Sequence, residues 1–154
     1  MDDFALTTAE RALLTALNRR QVRYLVIGLG AAVLQGAPVS TQDLDLWFEH
    51  LGDDAVQQAA RDAGGFWIAP FGMHPPGIGG EGLDRIDVVL TANGLDDFAS
   101  EYLRAIEQTV DGIAIKVLPL ERIIASKRSA NRPKDLAALP ALEATLRARD
   151  ASPE

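Results

Sequence analysis

A chain of 154 residues with 47% apolar and 24% charged residues lies in the ordinary globular range, which excludes wholesale disorder and predicts one domain over residues 1–154. A formal net charge of −7 excludes the broad basic face of a general nucleic-acid binder, although a local positive pocket stays open. With no cysteine there is no disulfide framework or thiolate zinc site, and the two histidines, His50 and His74, would need carboxylates to hold zinc.

The opening stretch MDDFALTTAE has neither a basic nor an apolar targeting segment. No apolar run approaches the ~18 residues of a membrane span. A cytoplasmic protein without membrane contact is expected. Thr7 and Glu10 have capping-box spacing, and Leu13, Leu14 and Leu17 follow at helical intervals, predicting a helix over 7–20. Val22 to Ile27 is β-branched and aromatic and ends at Gly28, which predicts a buried strand. Gly30 to Gly36 allows two helical turns before Pro38 interrupts them. Asp43 to Glu49 reads as a second strand, and Gly52-Asp53-Asp54 opens a helix that Gly64-Gly65 stops.

Phe66 to Ala69 reads as a short strand, and Pro70 to Gly82, rich in glycine and proline, as a loop with His74 in it. A further strand is expected over Arg85 to Leu90, a helix over 95–107 and a strand over Gly112 to Leu118. Two helices close the chain, about 119–130 and 133–148, with Pro133 suited to a first helical position. Trp47 and Trp67 read as core or interface residues. Alternating strands and helices give a mixed α/β, or α+β, class around one sheet.

In Asp43-Leu44-Asp45-Leu46 the alternation of a strand turns both carboxylates to one face, about 6.6 Å apart, and both leucines to the other. Two such carboxylates can hold divalent ions that a triphosphate then bridges. Taken alone, the pair is better explained as a soluble strand entrance. Asp87 shifts the balance, because it interrupts an otherwise apolar strand, Ile86-Val88-Val89-Leu90, where a charge has no structural purpose. If that strand lies beside Asp43–Glu49, a third carboxylate reaches the same point. Asp84 is the competing candidate, nearer the glycine-rich loop.

Ile27-Gly28-Leu29-Gly30 joins a strand to a short helix, where glycine permits positive φ and free N–H groups can meet an anion; a plain tight turn explains it almost as well. A dinucleotide fingerprint ending on Glu49 is the weaker rival, since Val33 occupies the third glycine position and the helix is too short.

The ordered set Gly28, Gly36, Pro38, Thr41, Asp43, Asp45 and Asp87 resembles the nucleotidyltransferase superfamily with a polymerase-β-like fold. The tail Ala125-Ser126-Lys127 through Asn131-Arg132-Pro133-Lys134-Asp135 is similar to a segment of its AbiEii-type, toxin-related members. The resemblance covers roughly residues 8–148. It implies an α+β fold with one mixed sheet packed against helices and two C-terminal helices. It further implies Mg²⁺, two ions during turnover, on Asp43, Asp45 and Asp87 as catalytic and metal-binding residues. Gly28, Leu29, Gly30, Thr41, Lys127 and Arg132 become the nucleotide-binding positions. Lys127 also stands out by spacing, because Leu120, Ile123, Ile124 and Lys127 share a helical face, where a lysine either snorkels or meets an anion. Asp135, in the first turn of the last helix, suits the helix dipole and reads as structural.

The implied activity is transfer of a nucleoside monophosphate from an NTP, ATP included, to a hydroxyl of RNA, protein or a small molecule, in a toxin–antitoxin setting with a cognate toxin or antitoxin as partner. The chain departs from the family pattern at Leu29, in place of a second Gly or Ser, and at Val39, in place of an arginine. Both departures support the alternative of a catalytically weak or inactive nucleotide- or partner-binding module. The oligomeric state, a dimer included, stays open at this stage.

Overall fold

The computed structural model describes residues 5–151. The helix α1 (Thr8–Arg19) starts on the predicted capping box: the Thr7 hydroxyl accepts from the Glu10 amide, and the Glu10 carboxylate accepts from the Thr7 amide. Its apolar stripe, Leu13, Leu14 and Leu17, is fully buried. Next come β1 (Tyr24–Ile27), α2 (Gly28–Leu34), β2 (Leu44–Phe48), α3 (Asp54–Asp62) and β3 (Phe66–Ile68). They are followed by β4 (Gly77–Gly79), β5 (Ile86–Val89), α4 (Phe98–Arg104), β6 (Ile106–Val110), β7 (Ile113–Val117), α5 (Leu120–Ala130) and α6 (Pro133–Ala151).

Five strands form one mixed sheet in the order β5-β2-β1-β7-β6. β1 pairs antiparallel with β2 and parallel with β7, β2 pairs parallel with β5, and β6 and β7 form an antiparallel hairpin. The central strand β1 is buried along its whole length, as its continuous apolar run requires. α1 packs on α3, and α2 packs on α5, which in turn packs on α6. Trp47 is buried and meets Phe98 edge to face at 5.4 Å, a core contact as expected. Trp67 is partly buried against the same core.

Three elements differ from the sequence expectation. The short helix is bounded at Gly28, two residues earlier than expected, and Gly28 itself, with φ +73°, makes the bend between strand and helix. The segment Pro70–Gly82 is not wholly a loop, since β4 within it pairs with β3 in a two-stranded sheet. Two of its three strand residues are glycine, so no side-chain alternation betrays it. At Gly79 an added Cβ would lie 2.7 Å from the exposed Phe66 ring, so Phe66 lies over the backbone of the neighbouring strand. The expected helix over 95–107 ends at Arg104, and residues 106–110 form the edge strand β6. Asp111-Gly112, with φ of 52° and 79°, makes the two-residue hairpin turn to β7. An Asp-Gly pair between two strands is a sequence signal for such a hairpin.

Candidate active site

Alternation along β2 works as anticipated. Leu44 and Leu46 are buried, while Asp43 is exposed and Asp45 half-buried on the other face. Thr41 sets the entrance to the strand, its hydroxyl accepting from the Asp43 amide at 3.2 Å. On β5, Ile86 is buried and Asp87 exposed, and the parallel register puts Asp87 directly beside Asp45. One carboxylate oxygen from each of Asp43, Asp45 and Asp87 lies within 4.8 Å of the other two. Like charges directly opposite each other on neighbouring strands are destabilising, so the grouping itself costs stability. Asp84, the competing candidate, sits exposed in the turn before β5 and is not part of the group.

Gly28 completes the arrangement. Its φ is +73°, and a Cβ built on it would lie 2.5 Å from Oδ2 of Asp45. Both conformation and space therefore require glycine, and the missing side chain leaves room for the carboxylate. Asp45 is pushed up to about 6, by burial first, then by the charges of Asp87 and Asp43, with Lys127 and Lys134 pulling in the other direction.

Beside the three carboxylates opens a cleft of about 280 Å³. Gly28 and Asp45 form one wall, the segment after β5 with Thr91 and Asn93 another, and Ser126 and Lys127 of α5 with Arg132 of the α5–α6 connection a third. Gly94 seats the middle wall on α5: its φ is +73°, and an added Cβ would lie 2.6 Å from the Ser129 Cβ.

The cations of the third wall are already engaged. Asp135 is buried and lies 3.2 Å from Nζ of Lys127. It also accepts from Arg132 through Nε at 2.6 Å, Nη2 at 3.1 Å and the backbone amide at 3.2 Å. The backbone contact is half of a capping box at the start of α6. The Arg132 hydrogen bonds hold Asp135 down to about 2, aided by Lys127, against the opposing effect of burial. Asp135 is thus structural, as expected, but through a buried ion-pair knot as well as a helix dipole.

No protein-family model matches the chain, and no curated relative matches its sequence. Solved structures do match. The crystal structure of ANT(2'')-Ia in complex with adenylyl-2''-tobramycin superposes with a TM-score of 0.60 at 16% identity, covering 91% of this chain and 88% of that one. The solution structure of the antibiotic-resistance factor ANT(2'')-Ia gives 0.55 at 16% identity, with 94% and 92% covered. An antigenic nucleotidyltransferase-like protein from Paracoccidioides brasiliensis gives 0.53 at 16% identity, with 88% and 74% covered. The chain has the nucleotidyltransferase fold.

Within that fold, the residues anticipated from sequence divide into two groups. Gly28, Asp45, Lys127 and Arg132 line one cleft, and Asp43 and Asp87 adjoin it through Asp45. Leu29 and Gly30 lie in α2, Leu29 packed against the core and Gly30 buried, and Val39 is likewise packed against the core. Leu29, Gly30 and Thr41 do not line the cleft. Thr91 and Asn93, which carry no motif, were not anticipated, nor were Ser126, which lies in the tail segment but was given no role, and the grip of Asp135 on Lys127. A signal for the knot existed, because Arg132 and Asp135 stand at the i,i+3 spacing of a helical ion pair.

The donor set suits a hard divalent cation: three carboxylates, no sulfur, no histidine. Among the described residues no helix is long and apolar enough to cross a membrane.

Proposed function

We propose that the protein is a Mg²⁺-dependent nucleotidyltransferase that moves a nucleoside monophosphate from an NTP to an acceptor hydroxyl. The convergence of Asp43, Asp45 and Asp87 within 4.8 Å carries the reading, because the grouping itself costs stability. These three residues would hold the metal. When bound, Mg²⁺ supplies neutralising charge for the triphosphate and lowers the barrier to displacement at phosphorus.

In the reaction, the acceptor oxygen forms a bond to the α-phosphorus, the bond from that phosphorus to the bridging oxygen breaks, and pyrophosphate leaves. Asp87, exposed on the edge strand, takes the acceptor proton. Gly28, having no side chain, leaves the room in which the Asp45 carboxylate sits at the cleft wall. Lys127, held by Asp135 at the cleft wall, faces the phosphates from the opposite side. A macromolecular acceptor and a toxin–antitoxin partner are the finer proposal that the AbiEii-like tail supports. The net charge of −7 and the adenylyl-tobramycin of the structural neighbour favour a small hydroxyl acceptor instead.

A non-catalytic nucleotide- or partner-binding role is the second reading. It is favoured by the knot in which the single charge of Asp135 offsets one of the two positive charges of Lys127 and Arg132, leaving less positive charge for a triphosphate. Incubation with each α-labelled NTP and Mg²⁺, with pyrophosphate release measured alongside, separates the two. Release that requires Mg²⁺ and is lost in Asp45→Asn supports transfer; nucleotide binding without release in the presence of RNA, aminoglycoside and total protein acceptors supports the second reading.

A further inference from the structure

A second, larger cleft of about 570 Å³ opens at the opposite end of the central strands. The carboxylate group adjoins the Ile27 end of β1, whereas this cleft adjoins Tyr24, about 10 Å back along the strand. Its floor is fixed: the Tyr24 hydroxyl donates to Asn18 Oδ1, and Asn18 Nδ2 donates to the Ala114 carbonyl.

The groups facing the cleft are mainly hydrogen-bond donors. The guanidinium carbon of Arg23 and the ammonium of Lys116 each lie 5.6 Å from the centre of the Tyr102 ring. That ring stacks on Phe98, itself packed on Trp47, so it is tied to the core. Among the described residues Lys116 has no ion-pair partner and the Tyr102 hydroxyl makes no hydrogen bond. Glu107 is the cross-strand partner of Lys116, yet the ammonium lies over the ring instead. Arg23 keeps a long contact of 3.5 Å to Glu49 at the rim.

Gln21 adds an independent observation. It occupies the left-handed position after α1, with φ 59°, and the two hydrogen bonds of a Schellman end are present: Gln21 N to Asn18 O, and Val22 N to Leu17 O. Glycine fills that position without strain, so a glutamine there sets conformation against side-chain chemistry. Gln21 lines this cleft.

We propose that this cleft binds a small phosphate monoester bearing a free hydroxyl. The phosphate dianion accepts from Lys116, Arg23 and the Tyr102 hydroxyl, charge-assisted bonds that few other groups could satisfy together. Glu107, the one acid among the described residues that line the cleft, accepts the hydroxyl of the organic part. The site is independent of nucleotidyl transfer and stands or falls separately from it.

The test is a titration of the ¹⁵N-labelled full chain with inorganic phosphate, ribose 5-phosphate and AMP, followed by amide shifts. Saturable shifts centred on Gln21, Arg23 and Lys116 are expected, tighter for the two esters than for phosphate. Lys116→Gln should weaken binding by about tenfold or more, the loss of one charge-assisted bond. Gln21→Gly should weaken binding while raising the melting temperature, a pairing of effects that a merely structural residue does not produce. Asp45→Asn should leave these shifts unchanged. Shifts confined to Gly28 and Lys127, shifts indifferent to Lys116→Gln, or no saturation with any of the three ligands overturns the proposal.

Discussion

Two charged clusters, a group of three acids and one acid held by two cations, border the same cleft and are built on opposite principles. Asp43, Asp45 and Asp87 are gathered by strand alternation and parallel register with no cation in direct contact, so each raises the energy of the others' charge. Asp135 is more deeply buried, yet both its oxygens are hydrogen-bonded and two cations share its charge. Burial alone does not decide how an acid behaves. What decides it is whether the fold brings a partner, and a group left without one is poised to take a cation from solution.

The difference is sharpest in turnover. Asp45→Asn should reduce nucleotidyl transfer by about 10³-fold, the equivalent of about 4 kcal/mol of lost charge stabilisation, measured by pyrophosphate release at saturating Mg²⁺. The same variant should gain stability in the metal-free state. Asp45 titrates near 6 in the folded chain against 3.8 ordinarily, so the folded state holds the proton more tightly. The metal-free protein therefore loses stability as pH rises from about 4 to about 6, by about 2 kcal/mol, and stays lower above that window. Urea unfolding in EDTA should find that loss absent in Asp45→Asn, and Mg²⁺ should restore the wild-type protein but not the variant.

Asp135→Asn should behave in the reverse sense, destabilising the protein at pH 7 by about 2 kcal/mol because Lys127 and Arg132 lose their partner. Its depressed titration means the wild-type contribution is complete above about pH 4 and fades toward about pH 2. Thermal melts across that range should show an acid limb in the wild type that the variant lacks. If both variants shift stability in the same direction at pH 7, the contrast between the two clusters fails.

Gly28→Ala should destabilise by about 1–2 kcal/mol through its positive φ, and should also weaken Mg²⁺ binding by crowding Asp45. Isothermal titration with Mg²⁺ separates this from a purely backbone effect. The smallest change is expected for Lys127→Ala: about a tenfold rise in KM for the NTP, with turnover at saturation less affected.

Local chemistry wrote much of this protein into its sequence. The capping box at Thr7 and Glu10, the buried run of β1, the alternation of Asp43 and Asp45 and the proline start of α6 were legible because each depends on neighbours a few residues away. The charge at position 87 was legible as an anomaly, since an acid in an apolar strand breaks the local pattern. Its meeting with Asp45 was expected only if the two strands lie side by side, a condition that the parallel pairing of β2 and β5 meets and that no local pattern could decide. The strand β4 was hidden for the same reason: its glycines have no alternation, and β3 supplies the missing half of the pattern. Lys127 stood out on its helix by spacing, but its capture by Asp135 required α5 and α6 to fold against each other. Short-range preferences shape elements one at a time, whereas charges distant in the chain acquire partners or rivals only when packing brings them within a few ångströms.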